Sequence, residues 1–136
     1  MIPRFPPVAG IDDRFFWEGV QAGELRLQRC RDCGRLRHPP GPMCPDCHSL
    51  AWSSEPASGR GTVYSYVIPR HPPAPAGDEP TIIVLVELDE GVRLVSNLCG
   101  IEPAVVRNGM RVEVFFADLP EGFRLPQFRV AAESQR

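Results

Sequence analysis

The chain has 136 residues, of which 43% are hydrophobic and 24% are charged, and its formal net charge is −2. This composition is ordinary for a globular protein of one modest domain or of a small module joined to one core, and the acidic balance argues against a basic nucleic-acid-binding surface. The longest apolar run, Ile82 to Val86, is too short to span a bilayer, so we expect no membrane segment.

Residues 1–24 begin as a proline-rich arm and continue into a short predicted helix. Asp12 or Asp13 can cap a helix that starts near Arg14, and Gly23 marks its end. Three adjacent aromatic residues follow the cap, and at about 100° per residue they spread over too wide an arc to face one side. Two interpretations stay open for this cluster: packing on the following module, or contact with a partner surface. The cluster comprises Phe15, Phe16 and Trp17.

Two CxxC pairs form the most specific motif in the chain. Cys30 and Cys33 make the first pair, and Cys44 and Cys47 make the second after ten intervening residues. Each pair can present two thiolates from one tight turn, so two facing turns build a closed tetrahedral site without an open position for substrate. We therefore expect one structural zinc ion per chain, held in a ribbon that covers residues 25–52.

Iron and disulfide bonds are the alternatives for these cysteines. Tetrahedral thiolate sites also accept a single iron ion, which would make the chain a small electron-transfer protein. Disulfide bonds require an oxidising compartment, whereas Met1-Ile2-Pro3-Arg4 leads into a proline-rich stretch rather than an apolar export signal. Reduced thiols are typical of the cytoplasm, so we expect a cytoplasmic protein.

Residues 53–136 show the period-two pattern of strands and are assigned to a barrel with a C-terminal tail. A link rich in serine, proline and glycine, Ser53 to Gly61, comes first. Five strands in about 70 residues, with a hairpin and a long crossover, fit a closed barrel of the OB type, with an open sandwich as the alternative. The predicted strands are Thr62–Ile68, Thr81–Leu88, Val92–Leu98, Arg111–Phe116 and Gln127–Val130.

Few residues offer chemistry of their own, and we expect no catalytic residue. The sequence has no serine-nucleophile elbow, phosphate loop or zinc-protease motif. His48 follows a metal ligand, His71 lies in a proline-rich loop, and Cys99 has no base beside it, so each is interpreted as non-catalytic. Tyr64 and Tyr66 are predicted to share one strand face, where they could stack nucleic-acid bases, fill the core or pack on a partner.

The order of these elements resembles a known family. The motifs that carry the resemblance are the aromatic helix, the four-cysteine ribbon, Gly59-Arg60-Gly61-Thr62-Val63-Tyr64-Ser65 and Leu125-Pro126-Gln127-Phe128. From about Asp13 to Val130 the chain is similar to the zinc-ribbon and OB-fold accessory proteins of acyl-CoA metabolism, formerly a domain of unknown function. This resemblance implies a mainly β fold in which a helix and a rubredoxin-like zinc ribbon precede a five-stranded OB barrel.

The resemblance also implies a partner. Members of the family accompany thiolase-fold enzymes, including thiolases, acyltransferases and aldolases that cleave steroid side-chain acyl-CoA esters, and the partner holds the catalytic residues. We therefore expect a non-catalytic accessory subunit that docks on and stabilises such an enzyme in a heterotetramer, and that meets acyl-CoA through the partner. A single-stranded nucleic-acid-binding module is the alternative. The residues proposed for the partner interface are Phe15, Phe16, Trp17 and Phe128.

Overall fold

A computed structural model of the chain describes residues 5–132, so residues 1–4 of the predicted arm and 133–136 of the predicted tail lie outside the described residues. The described chain confirms a mainly β fold with one short N-terminal helix, and none of its helices is long and apolar enough to cross a membrane. In chain order the elements are α1 (Arg14–Gln21), β1 (Arg26–Cys30), β2 (Leu36–Arg37), β3 (Trp52–Pro56), β4 (Arg60–Val67), β5 (Ile83–Leu88), β6 (Arg93–Cys99), a 3₁₀ turn (Pro103–Val105), β7 (Arg111–Asp118) and β8 (Arg124–Val130).

The helix α1 begins and ends near its sequence signals. Asp13 precedes the helix, and its backbone carbonyl accepts the N–H groups of Phe16 and Trp17. The Asp13 carboxylate does not cap the helix, because it accepts the Gly10 N–H at 2.6 Å and the Trp17 indole N–H at 3.3 Å. At the other end, Gly23 has a φ of 77°, which is the left-handed conformation typical of a residue just past a helix.

The ribbon is a three-stranded antiparallel sheet in the order β2-β1-β3. All five residues of β1 pair with β3, so Ser53 to Pro56 extend the ribbon sheet rather than forming a loose link. The strand β3 lies at a sheet edge and none of its residues is buried, so it needs no alternation of apolar residues, and its sequence Trp-Ser-Ser-Glu-Pro has none. Backbone pairing with β1 therefore creates this strand, and the division of the chain at residue 53 stays a prediction.

The strands β4 to β8 close into a barrel in the order β4-β5-β6-β8-β7, which confirms the predicted five-stranded closed barrel and not the open sandwich. Neighbouring strands are antiparallel, except that β6 and β8 run parallel. The strand β5 alternates strictly between buried and partly exposed positions, as period-two geometry requires. The barrel interior therefore receives every second side chain of this strand.

The two tyrosines of β4 do not share a face, contrary to the prediction. The pairing with β5 shifts register between Val63 and Ser65, so Tyr64 is an extra residue in a β-bulge. The shift reverses the alternation after the bulge. Tyr66 is paired with buried Val84 and packs against the core, whereas Tyr64 is 47% exposed. A two-tyrosine stacking platform is therefore absent from this strand.

One hydrophobic core joins the helix, the ribbon and the barrel. Phe16 and Val20 of α1 and Leu27 of β1 are buried in the same cluster as the barrel interior. Phe128 of β8 belongs to this cluster and has 0% exposure, so its ring offers no surface to a partner. The shared core fixes the ribbon and the barrel relative to each other, because neither can move without exposing apolar side chains of α1.

Gly61 provides a test of the close approach between β4 and β5. A Cβ atom at this position would lie 2.4 Å from the Glu87 carbonyl oxygen and 2.9 Å from Val86 Cγ1. We expect Gly61→Ala to lower the free energy of unfolding by about 1–3 kcal/mol, because backbone of a paired strand would have to shift. Urea unfolding followed by tryptophan fluorescence measures the loss. Gly41→Ala is the matched control, since a Cβ there meets no atom within 4 Å, and equal losses would contradict the prediction.

Candidate metal centre

The first cysteine pair lies on a tight backbone turn at the end of β1. The N–H of Cys30 donates to the Arg35 carbonyl at 2.9 Å, and the N–H of Gly34 donates to the Cys30 carbonyl at 3.0 Å. Gly34 has a φ of 80°, a conformation that costs a glycine little. These bonds fold the pair so that Cys30 and Cys33 present their sulfur atoms to the same side.

The second pair repeats this geometry. The N–H of Cys44 donates to the Ser49 carbonyl at 2.9 Å, and the N–H of His48 donates to the Cys44 carbonyl at 3.0 Å. His48 occupies the position of Gly34 and has a φ of 62°, an uncommon value for a residue other than glycine. Its side chain is exposed and lies outside the sulfur cluster, so the backbone of His48, rather than its imidazole, serves the site.

The four sulfur atoms meet at distances that suit a metal ion. All lie within 4.8 Å of one another, with 3.5 Å between Cys30 and Cys47 and 3.6 Å between Cys33 and Cys44. A tetrahedral zinc ion bound at about 2.3 Å requires sulfur separations of about 3.8 Å, whereas a disulfide bond requires about 2.05 Å. The cysteines are free thiols, and their arrangement is suitable for one structural zinc ion.

Backbone N–H groups favour the thiolate form of one cysteine in each pair. The Cys33 N–H lies 3.5 Å from Cys30 Sγ and lowers the pKa of Cys30 to about 6. The Cys47 N–H lowers the pKa of Cys44 in the same way. Each turn therefore offers one sulfur atom that ionises readily, and a bound cation favours deprotonation of its neighbour.

Two polar contacts also link the turns. Arg35 Nη1 lies 2.5 Å from Asp46 Oδ1, and the Ser49 hydroxyl donates to the Asp32 carboxylate. Both contacts are exposed, so water and salt screen them and they add little to the stability of the ribbon. The four sulfur atoms are therefore the main connection between the turns once a metal ion joins them.

The aromatic side chains of α1 point in three directions. Phe15 packs against Trp52 of β3 with ring centroids 4.8 Å apart. Phe16 is buried and faces the His38 ring at 5.3 Å. Trp17 is partly exposed and lines surface grooves on both sides of the helix. Of the four predicted interface residues, Phe15 and Trp17 keep accessible surface, while Phe16 and Phe128 are core residues.

The remaining candidates do not form a second site. Cys99 donates its thiol to Gln127 Oε1 at 2.8 Å, and His71 is exposed in the loop between β4 and β5. Across residues 5–132, the four-cysteine cluster is the one group of three or more side chains that could hold a metal ion. The sequence motif therefore identified the complete cluster, whereas it gave no signal for the role of His48 in the turn.

Two family models match the chain. Residues 17–53 match the rubredoxin-like zinc ribbon domain of ChsH2, and residues 54–117 match the C-terminal OB-fold domain of ChsH2. A probable enoyl-CoA hydratase alpha subunit of Thermomonospora curvata is 43% identical over 129 residues, which are 95% of this chain and 40% of that protein. A 3-oxo-4,17-pregnadiene-20-carboxyl-CoA hydratase alpha subunit of Mycobacterium tuberculosis is 45% identical over 115 residues, or 85% of this chain and 37% of that protein.

A solved structure supports the same relationship. A chain of the complex described as the Ltp2-ChsH2(DUF35) aldolase superimposes with a TM-score of 0.85 and 45% identity, covering 93% of this chain and 100% of that chain. This chain therefore spans less than half of the two hydratase subunits but the whole of the matched chain in the aldolase complex.

Removal of the metal tests its structural role. We expect the parent chain to contain about one zinc ion. We expect the Cys44→Ser variant to bind no zinc and to have an unfolding free energy that is lower by several kcal/mol, because zinc binding is coupled to folding. Elemental analysis and thermal unfolding measure both effects, with Cys99→Ser as the control because Cys99 lies outside the cluster. Unchanged unfolding after a chelator has removed the metal would contradict a structural role.

Gly34 and His48 occupy matching positions in the two turns, so substitutions at these positions test the same backbone conformation. We expect His48→Gly to raise the unfolding free energy of the zinc-bound chain by about 0.5–1 kcal/mol, since glycine adopts a positive φ without the steric cost that histidine meets. We expect Gly34→Ala to lower it by about 1 kcal/mol for the converse reason. Urea unfolding compares the two variants, and the same sign of change at both positions would exclude this explanation.

Proposed function

Because this chain belongs to the ChsH2 family of zinc-ribbon and OB-fold proteins, we propose that it is a non-catalytic accessory subunit that docks on and stabilises a thiolase-fold aldolase. The observation that carries the proposal is the match to a complete chain of an aldolase complex. That match covers 93% of this chain, so nearly the whole fold is available for the same role.

The metal site supports an accessory role. Four thiolates complete the coordination of a tetrahedral ion and leave no position for substrate. A zinc ion bound there would supply a structural crosslink, and the residues that would hold it are Cys30, Cys33, Cys44 and Cys47. We therefore assign bond making and bond breaking to the partner enzyme.

The names of the relatives suggest the substrate class. Both hydratase subunits act on CoA thioesters by name, and the Mycobacterium tuberculosis protein acts on a steroid-derived one. We propose that the complex formed by this chain acts on acyl-CoA esters of steroid side chains, which the partner binds. Two accessory chains on a dimeric enzyme would give a heterotetramer, and the reduced thiols suit the cytoplasm.

Binding to an Ltp2-type aldolase subunit encoded in the same genome tests this proposal. We expect a stable complex at about 10 µM of each protein, measured by size-exclusion chromatography with light scattering. We expect Trp17→Ala to weaken it about tenfold or more, because exposed tryptophans often dominate interfaces. Val105→Ala is the control, since Val105 is 53% exposed on the 3₁₀ turn and lines neither Trp17 groove.

Circular dichroism and zinc content would show that the Trp17→Ala variant is folded. A parent chain that stays separate from the aldolase subunit at this concentration would refute the proposal. So would cleavage of an acyl-CoA ester by the isolated chain.

A further inference from the structure

The strand β5 carries apolar side chains on its outer face as well as its inner one, up to Glu87 near its end. Its buried positions point into the barrel, while Ile83 and Leu85 point outward. Across the sheet, Val67 pairs with Ile83 and Val95 pairs with Leu85, so these four side chains are contiguous. An antiparallel sheet with one face in water normally has polar residues on that face. We call the four residues Val67, Ile83, Leu85 and Val95 the outer apolar face; Val67 is 59% exposed and Val95 is 67% exposed.

The outer apolar face continues into a groove between the barrel and the ribbon, with a volume of about 500 Å³. Residues of α1 and of the segment after β2 form one wall, and strands of the barrel form the other. The main lining residues are Trp17, His38 and Pro40 on the first wall, and Ile83, Val95 and Leu125 on the second.

The groove has little charge to offer a ligand. The Asp13 carboxylate at its edge already accepts hydrogen bonds from Gly10 and Trp17. Burial lowers the pKa of His38, so the imidazole is neutral near pH 7. Among the described residues that line the groove, none is an arginine or a lysine. A phosphate-bearing molecule would therefore find no cation here.

Polar groups border the outer apolar face. Arg93 Nε lies 3.2 Å from Glu87 Oε2, and its guanidinium lies over the Tyr64 ring at 3.7 Å from the centroid. An apolar centre with a polar, hydrogen-bonding border is the usual anatomy of a protein–protein interface. The groove alone has the volume of a small-ligand pocket, but the combined surface also extends over the three strands β4, β5 and β6.

We propose that the outer apolar face and the groove bind an apolar segment of the aldolase-type partner, with a long aromatic or aliphatic side chain of that segment filling the groove. The inference rests on the proposed function and assigns the contact to a particular surface of the chain. The matched chain occurs in a complex with an aldolase, which provides a protein of the required kind. A symmetric contact between two outer apolar faces fits less well, because their most exposed side chains are two valines, which are too short to fill such a groove.

Substitution at the centre of the surface tests the inference in the full chain. We expect Val95→Asp to raise the dissociation constant for the aldolase subunit about 30-fold or more, because complex formation would bury an unpaired carboxylate. We expect a smaller loss for Val95→Thr, which keeps the shape and strand propensity of valine. The matched control is Leu50→Asp, which introduces the same charge at a site that is 70% exposed and outside the groove. We expect the dissociation constant of this variant for the aldolase subunit to stay within about twofold of the parent value.

The outcomes separate this inference from the proposed function. If Val95→Asp and Val95→Thr bind the aldolase subunit as tightly as the parent chain does, the outer apolar face is not the contact and the accessory role stands. If Val95→Asp changes only the oligomeric state of the isolated chain, a second copy covers the face and the inference is overturned. If Val95→Asp abolishes the binding of an apolar dye to the isolated chain but leaves aldolase binding unchanged, the groove is a small-molecule site and the inference is again overturned. If the parent chain does not bind, the proposed function and this inference both fail.

Discussion

The connection between the two cysteine turns is the constraint on which the ribbon depends. Its sheet has three strands, and β2 has only two residues, so backbone pairing alone gives it little stability. The turns are built by hydrogen bonds within each turn. Within residues 5–132, the contacts that join them apart from the sulfur atoms are the exposed Arg35–Asp46 and Ser49–Asp32 pairs. A tetrahedral metal ion bound to the four sulfur atoms would join the two weakly linked turns into one rigid unit, which would give β1 a fixed position from which α1 and β3 can pack.

The helix transmits this rigidity to the barrel. One face of α1 contributes Phe16 and Val20 to the common core, and Phe15 packs against Trp52 on the ribbon. At the end of the helix, Arg124 of β8 donates to the Gln21 carbonyl at 3.1 Å. The eight-residue helix is too short to be stable alone, so its contacts with both modules stabilise it as much as it stabilises them. A partner that binds across the ribbon and the barrel would therefore meet one preformed surface.

Local chemistry explains which features the sequence could predict. The cysteine spacing and the period-two strands are local signals, and they predicted the metal cluster and the five barrel strands; the family resemblance was confirmed as well. The strand β3 was missed because its pairing with β1 is long-range and its sequence carries no apolar alternation. Phe128 was assigned to the partner interface as an aromatic residue of the C-terminal tail. Its burial depends on the pairing of β8 with β6 on one side and with β7 on the other, and no local pattern indicates the parallel pairing with β6.

The bulge in β4 shows how one residue decides the character of a surface. With strict alternation from buried Val63, Val67 would point into the barrel and Tyr66 would join Tyr64 outside. Because the bulge adds one residue, Tyr66 turns into the core and Val67 turns outward beside Ile83. The outside of the barrel thus loses one ring of a stacking pair and gains an apolar side chain. This exchange makes the surface poorly suited to single-stranded nucleic acid and well suited to contact with another protein.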